Sequence, residues 1–333
     1  MSTADFEARP GASLGLRTGS WVEVRSVGEI LATLDDQGRL DALPFMPEMV
    51  QYCGRRFRVF KSAHKTCDTI ERYKGRSMTS AVHLEGLRCD GEAHGGCQAR
   101  CLIFWKEAWL RPIPDPGSQE ERPERAASRE AVGGQSQGDP EVLARAVRAP
   151  GPDERYVCQA TELLRATAPL SWWDVRQYAK DLATGNVRLG TFIVYLAIAA
   201  YNAVMRLHWR GRPYPYIRGL AADKTETAVL DLRAGELVQV RSKAEIMRTL
   251  NMSQKNRGLW FDAEMVPYCG QTFRVLGRIE RLVDEKSGKM LTLRNACIVL
   301  DGVVCSGCLS SYRLFCPRSI YPYWREAWLK RVQ

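Results

Sequence analysis

The chain is expected to fold as an α+β protein: two homologous small β-barrels of SH3-like type, joined by a disordered linker and a helical segment. The first observation behind this is an internal repeat. At an offset of 216, Gly19–Val59 lies ungapped against Gly235–Val275, with 20 of 41 positions identical. Trp21-Val22-Glu23-Val24-Arg25-Ser26 faces Leu237-Val238-Gln239-Val240-Arg241-Ser242, and Glu48-Met49-Val50 faces Glu264-Met265-Val266. The match continues to Cys89 and Gly91 against Cys305 and Gly307, then resumes at an offset of 219, where Cys97 meets Cys316 and Glu107–Leu110 meets Glu326–Leu329. The second observation is that each copy is one domain in length and built of short alternating segments. The third is a pair of composition changes between the copies.

Residues 1–18 form an N-terminal arm, and residues 19–114 the first repeat. Trp21–Val24 alternates as a strand, Glu29–Leu34 reads as a short helix, and Phe57–Phe60 alternates again. Short strands around one small helix suit a partly open barrel, because closure hides strand edges. Residues 115–150 hold Pro116, Pro123, Gly133-Gly134 and Pro140 among Ser, Glu, Gln and Arg, and cannot bury enough surface to offset their ordering entropy.

Residues 151–234 form the helical connector. Asp153 is positioned to cap a helix over 154–167, Ser171 to cap Trp172–Ala183, and Gly185 to end it; a third helix spans Val187–Leu207. Within it, Leu189–Met205 is interrupted only by Gly190, Thr191 and Asn202, and is flanked by Trp172, Trp173, Trp209, Tyr214, Arg206, Arg210 and Arg212. A buried core helix is the preferred reading, with a membrane-surface contact through 189–205 as the alternative. A span would put two like cysteine-rich copies in compartments of different redox poise. Residues 235–333 are the second repeat.

Composition sets outer bounds. With 333 residues, 45% hydrophobic and 26% charged, the chain is neither disordered nor collagen-like. Eleven scattered cysteines, and no apolar signal segment after Met1, point to the cytoplasm and reduced thiols. The net charge of +10 permits nucleic-acid contact, but the basic residues are scattered and no RNP-like aromatic motif is present, so nucleic acid is not the expected partner. A small-molecule or peptide substrate, or a protein partner, is expected instead.

The cysteines carry the chemistry. Cys53, Cys158 and Cys269 read as small buried hydrophobes. Each copy keeps four more: Cys67, Cys89, Cys97 and Cys101, and then Cys297, Cys305, Cys308 and Cys316. Four thiolates satisfy tetrahedral zinc, and Cys305-Ser-Gly-Cys308 is a knuckle of the kind that turns two sulfurs toward one ion. In the first copy His94 stands as an alternative ligand to one sulfur. Zinc is the expected ion and an iron-sulfur cluster the alternative. Three of the four histidines, His64, His83 and His94, lie in the first copy, and the second has none. That asymmetry makes His64, Cys67 and His83 the candidate catalytic residues of a metal- or thiol-dependent enzyme, with the second copy its structural duplicate. The competing reading is a non-catalytic, metal-stabilised accessory or binding module. No phosphate-binding, zincin or hydrolase motif is present.

Trp21–Asp35, Leu43–Met49, His64–Asp68 and Cys89–Leu110 together resemble a family of uncharacterised bacterial cysteine-rich tandem-repeat proteins met near natural-product biosynthesis genes. The resemblance covers the first repeat well and the second partially, because Cys67, His94 and Cys101 have no counterparts there. It implies a bacterial cytoplasmic setting and a tailoring role in a biosynthetic pathway.

Overall fold

The structure, a computed structural model, describes residues 13–71, 74–115, 155–208, 211–221, 225, 227–310 and 312–332; the linker expected over 115–150 lies almost wholly outside these. The fold is mixed helix and sheet, with several small antiparallel sheets and a half-barrel.

In the N-terminal half, β1 (Trp21–Val24) turns Val22 and Val24 inward, as its alternation requires. Ser26 then starts α1 (Val27–Leu31). Its side chain accepts from the Glu29 amide while Glu29 accepts from the Ser26 amide at 3.0 Å, and this reciprocal cap fixes the helix start two residues before the sequence-predicted one. A small hairpin, β2 (Arg39–Leu40) and β3 (Leu43–Pro44), leads into a 3-10 turn over Pro47–Tyr52. There follow β4 (Arg56–Ser62), β5 (Lys65–Cys67), β6 (Gly75–Ser77), β7 (Ala81–Leu84), β8 (Trp105–Lys106) and β9 (Leu110–Pro112). The main sheet runs β8-β7-β4-β1-β9. Trp105 and Trp109 are fully buried, with Trp109 5.2 Å from Phe45 edge-to-face and its indole N–H donating to Thr33.

The connector departs from expectation. Residues 155–167 form turns in place of the helix expected over 154–167, because tertiary partners outbid the local helix signal. The Cys158 amide donates to Thr161 Oγ1, and the Gln159 side chain donates to Pro44 and Phe104 carbonyls and accepts from the Phe104 amide. β10 (Ala168–Leu170) then pairs with β6, giving a second sheet β10-β6-β5. α2 (Arg176–Ala183) starts later than Trp172, since Ser171 closes a turn onto Asp174. α3 (Leu189–Leu207) follows.

α3 is not the buried core helix favoured from its sequence. Asn202 is its one buried residue; a single stripe, Phe192, Tyr195 and Ala199, packs down onto Phe315, while Leu189, Ile193, Val194, Leu196, Tyr201, Val204 and Leu207 are exposed. It is long and apolar enough to cross a membrane by length and composition.

The C-terminal half holds β11 (Leu237–Val240), α4 (Lys243–Thr249), β12 (Lys255–Asn256), β13 (Leu259–Trp260), β14 (Thr272–Val283), β15 (Met290–Leu300) and β16 (Leu329–Arg331); its pairings match β1–β4, β1–β9, β4–β7 and β2–β3 of the first half, but among the described residues the β5–β6–β10 sheet has no counterpart. Trp21↔Arg58 recurs as Leu237↔Arg274, and Val24↔Leu110 as Val240↔Leu329. Phe261 meets Trp328 at 5.2 Å, and the Trp328 indole donates to Thr249. The difference lies in β14 and β15, which extend past the sheet and lean on the first half: the Val283 amide donates to Cys97 Sγ at 3.3 Å and the Gln98 side chain accepts from the Glu280 and Arg281 amides. Arg318 donates to Cys67 O and Thr69 Oγ1, and Arg88 to Ser319 O. The two halves therefore interlock.

Candidate metal centre

Pro47, at the start of the 3-10 turn, holds Glu48 inward, 9% exposed. Opposite it, the Cys89 amide donates to Cys101 O at 2.9 Å, pinning the two ends of the cysteine loop together. The chain then reverses at Gly91, which has φ +80° and whose carbonyl accepts from the His94 and Gly96 amides. A Cβ on Gly91 would lie 1.9 Å from Cys97 O, so only glycine permits this turn. The result sets His94 Nε2 3.0 Å from Cys89 Sγ and 3.8 Å from Glu48 Oε1. These three ligand atoms all lie within 4.8 Å of one another, and the group can hold a metal ion. Gly91→Ala is expected to cost about 1–3 kcal/mol in backbone strain alone, read by chemical denaturation, because the turn it forms lies against Cys97.

Burial disfavours the charged form of each of the three groups. Burial raises the Glu48 carboxyl above its usual range, lowers the His94 imidazole and raises the Cys89 thiol, the last reinforced by Glu48 and Cys101. His94 Nδ1 and Glu48 Oε2 are buried without a hydrogen-bond partner. Such atoms are costly unless a further group satisfies them. A cavity of about 40 Å³ adjoins the group, lined also by Cys97, Cys101, Cys158, Glu285 and Arg318. It is roomy enough for an ion or a water.

Of the first-copy metal candidates, Cys89, His94, Cys97 and Cys101 thus surround one cavity. Cys158, read from sequence as a packing residue, joins them, its thiol pushed up to about 11 by burial. Glu48 was not singled out by sequence as a ligand. The repeat offered a signal: its counterpart Glu264 accepts from the Ser306 and Leu309 amides and so braces the Cys305–Cys308 knuckle. In the second half that glutamate is fully occupied; in the first it turns to His94.

The second-copy quartet is divided. Cys297 lies on β15 in a separate cluster with Ile279 and Val299, its sulfur 3.5 Å from the Arg325 guanidinium. Cys305, Cys308 and Cys316 share one loop. Cys67, from the first half, is coupled to Cys316: interaction with Cys316, helped by Arg318 and Arg313, lowers the Cys67 thiol, and the same interaction raises Cys316.

The residues proposed as catalytic are not brought together. His64 sits 3.3 Å from both Asp181 Oδ1 and Gln177 O at the α2 seam. Cys67 faces Cys316. His83 is fully buried, Nδ1 2.9 Å from Ile103 O and its ring 4.4 Å from Phe104. Burial holds the His83 imidazole down to about 3. It is therefore neutral when folded and protonates near 6.5 when unfolded, so its contribution is intact above pH 6.5 and is lost as pH falls toward 3, at about 1.4 kcal/mol per pH unit. His83→Phe is expected to flatten the acid limb of a stability–pH profile measured by urea unfolding.

The chain matches no family model, no curated protein and no solved structure.

Proposed function

We propose that this is a metal-binding protein of two duplicated SH3-like barrels, residues 19–114 and 235–333, in which zinc on Glu48, Cys89 and His94 is structural, and that the protein is a non-catalytic accessory or binding module. The observation that carries this is the burial of the Glu48–Cys89–His94 group beside a cavity roomy enough for an ion or a water. Structural zinc sites carry four protein ligands and catalytic ones three, so the structural reading requires a fourth ligand from Cys97 or Cys101, which line the same cavity. Cysteine, histidine and carboxylate are all zinc donors. The dispersal of His64, Cys67 and His83 among separate partners favours this reading over the tailoring enzyme. Metal analysis of the chain and of His94→Ala, both purified without chelator, tests it. A colourless protein that loses one equivalent of zinc in the variant supports the reading; unchanged metal content overturns it, and a brown protein would move the assignment to an iron-sulfur cluster.

A second observation bears on the partner. The exposed apolar face of α3 carries no acidic residue, is bounded by Arg188 and Arg206, and stands with Trp172 and Trp173, 58% and 69% exposed. Apolar length, cationic ends and indoles suit the surface of an anionic bilayer, in which the helix would lie in the plane. Co-sedimentation with phosphatidylserine vesicles is expected to exceed that with neutral vesicles, and Val194→Asp to reduce it at least tenfold. Concentration-dependent dimerisation without vesicle binding would refute the membrane assignment.

A further inference from the structure

We infer that the metal centre is the joint between the two halves of the chain. Gln98 is the positioning residue that anchors the ligand loop of the first half on β14 of the second, so that metal binding and docking of the β14–β15 hairpin are one coupled equilibrium. The inference rests on the metal-binding reading above and adds what holds that site in shape.

The hairpin carries residues that the first half does not match. At the repeat offset of 216, Ser62, the last residue of β4, corresponds to Arg278. β4 runs 7 residues and β7 4, whereas β14 runs 12 and β15 11, so β14 beyond Arg278 is an extension of the second half alone. Pairing is irregular in it: Ile279 faces Cys297, but Arg281 faces Thr292. Such a break turns consecutive amides away from the ladder. The Glu280 and Arg281 amides both donate to Gln98 Oε1, at 2.7 and 3.1 Å. The Gln98 amide donates back to Arg281 O at 3.2 Å, and the Val283 amide donates to Cys97 Sγ at 3.3 Å. The extension is thus bonded to the cysteine loop residue by residue.

The loop needs that anchor. His94 and Gln98 are separated by Gly95, Gly96 and Cys97, and both glycines have φ +70°. Successive glycines restrain the backbone little, so His94 is placed by what fixes the loop on either side: the Gly91 turn before it and Gln98 after it. The second half also closes over this stretch. A Cβ on Gly96 would lie 2.5 Å from Arg281 Nη2, and Val283 and Glu285 line the cavity that adjoins Glu48, Cys89 and His94. Glu285 is itself paired with Arg318 at 2.7 Å. The duplicate loop is built differently: at the offset that aligns Cys97 with Cys316, Gln98 meets Pro317, which has no side-chain acceptor.

Linkage makes the coupling reciprocal. If β14 favours the ligating form of the loop, a bound ion favours docking of β14 by the same factor. Groups that orient metal ligands from outside the coordination sphere change affinity about 10–100-fold when removed.

Competition with a chromogenic chelator measures zinc affinity in the full-length chain. Gln98→Met, which keeps the length and loses the acceptor, is expected to weaken zinc by about tenfold or more, whereas Gln98→Glu, which keeps an oxygen for both amides, should stay within about threefold of the unmodified chain. Hydrogen exchange of the unmodified chain, with and without zinc, requires no variant: amides of 280–283 should slow more on zinc binding than those of β11 in the same half. Unchanged affinity in Gln98→Met, Gln98→Glu as weak as Gln98→Met, or no greater slowing at 280–283 than in β11 would overturn the joint and leave the metal centre in place. An unmodified chain that binds no zinc would overturn the metal-binding reading, and this inference with it.

Discussion

Stripping the metal-loaded chain with a chelator is expected to lower its thermal midpoint by on the order of 10 °C. An ion present at a thousandfold excess over its dissociation constant contributes about 4 kcal/mol of stability by linkage, and each kilocalorie corresponds to about 2–4 °C in a chain of comparable size. The effect should be large here because the ligands come from distant segments: Glu48 from a turn in the first third of the main sheet, Cys89 and His94 from the loop that follows β7. Without the ion, Glu48 Oε2 remains buried and unsatisfied. Differential scanning fluorimetry with and without chelator, and with zinc added back, measures it; an unchanged midpoint would mean that the group makes no structural contribution through a metal.

The second large effect is expected at Asp181. This residue is 0% exposed and pairs with Lys65, whose ammonium also donates to Leu314 O at 2.8 Å and lies over the Tyr178 and Phe315 rings. The pair joins β5, α2 and the C-terminal loop in one contact. Burial depresses the Lys65 amine, and Asp181 is what opposes that shift. Asp181→Ala would leave an ammonium in a dry site and is expected to cost about 3–5 kcal/mol. Lys65→Met combined with Asp181→Leu, which removes both charges, is expected to recover most of that loss. Urea unfolding of the two variants distinguishes them. A loss below about 1 kcal/mol for Asp181→Ala, the range of exposed pairs, would show that water reaches the lysine.

The contrast between what sequence did and did not reveal is physical. The repeat was legible in the alternation of β1 and β11, which is set by neighbours within a few residues, whereas the Ser26 and Ser242 caps went unread and the first helix was placed two residues late. The connector shows the limit. Residues 155–167 have helix-compatible composition, yet the side chain of Gln159 bonds to segments 115 and 55 residues distant, and those bonds hold it in turns. In α3 the apolar pattern was read correctly but its covering was not, since periodicity cannot say whether another element packs on each face.

The cysteines make the same point at the level of chemistry. Their number and the knuckle spacing signalled metal, but ligand sets were grouped by sequence proximity, and the fold regroups them by contact. Cys297 lies next to its supposed partners in the chain and packs with Ile279, whereas Cys67 meets Cys316 across the seam. Cys158, isolated in sequence, lines the first-half cavity because the turns of the connector fold back over it. Glu48 carried no metal motif; only its duplicate at Glu264 marked it as a position on which both loops are built.

The most direct test of the metal centre is anomalous diffraction from crystals of protein purified without chelator, with data on both sides of the zinc edge. The expected result is a peak bounded by Glu48, Cys89 and His94, present above the edge and absent below it. A map with no peak at that position, in protein whose Cys89 and His94 are well ordered, would contradict the assignment.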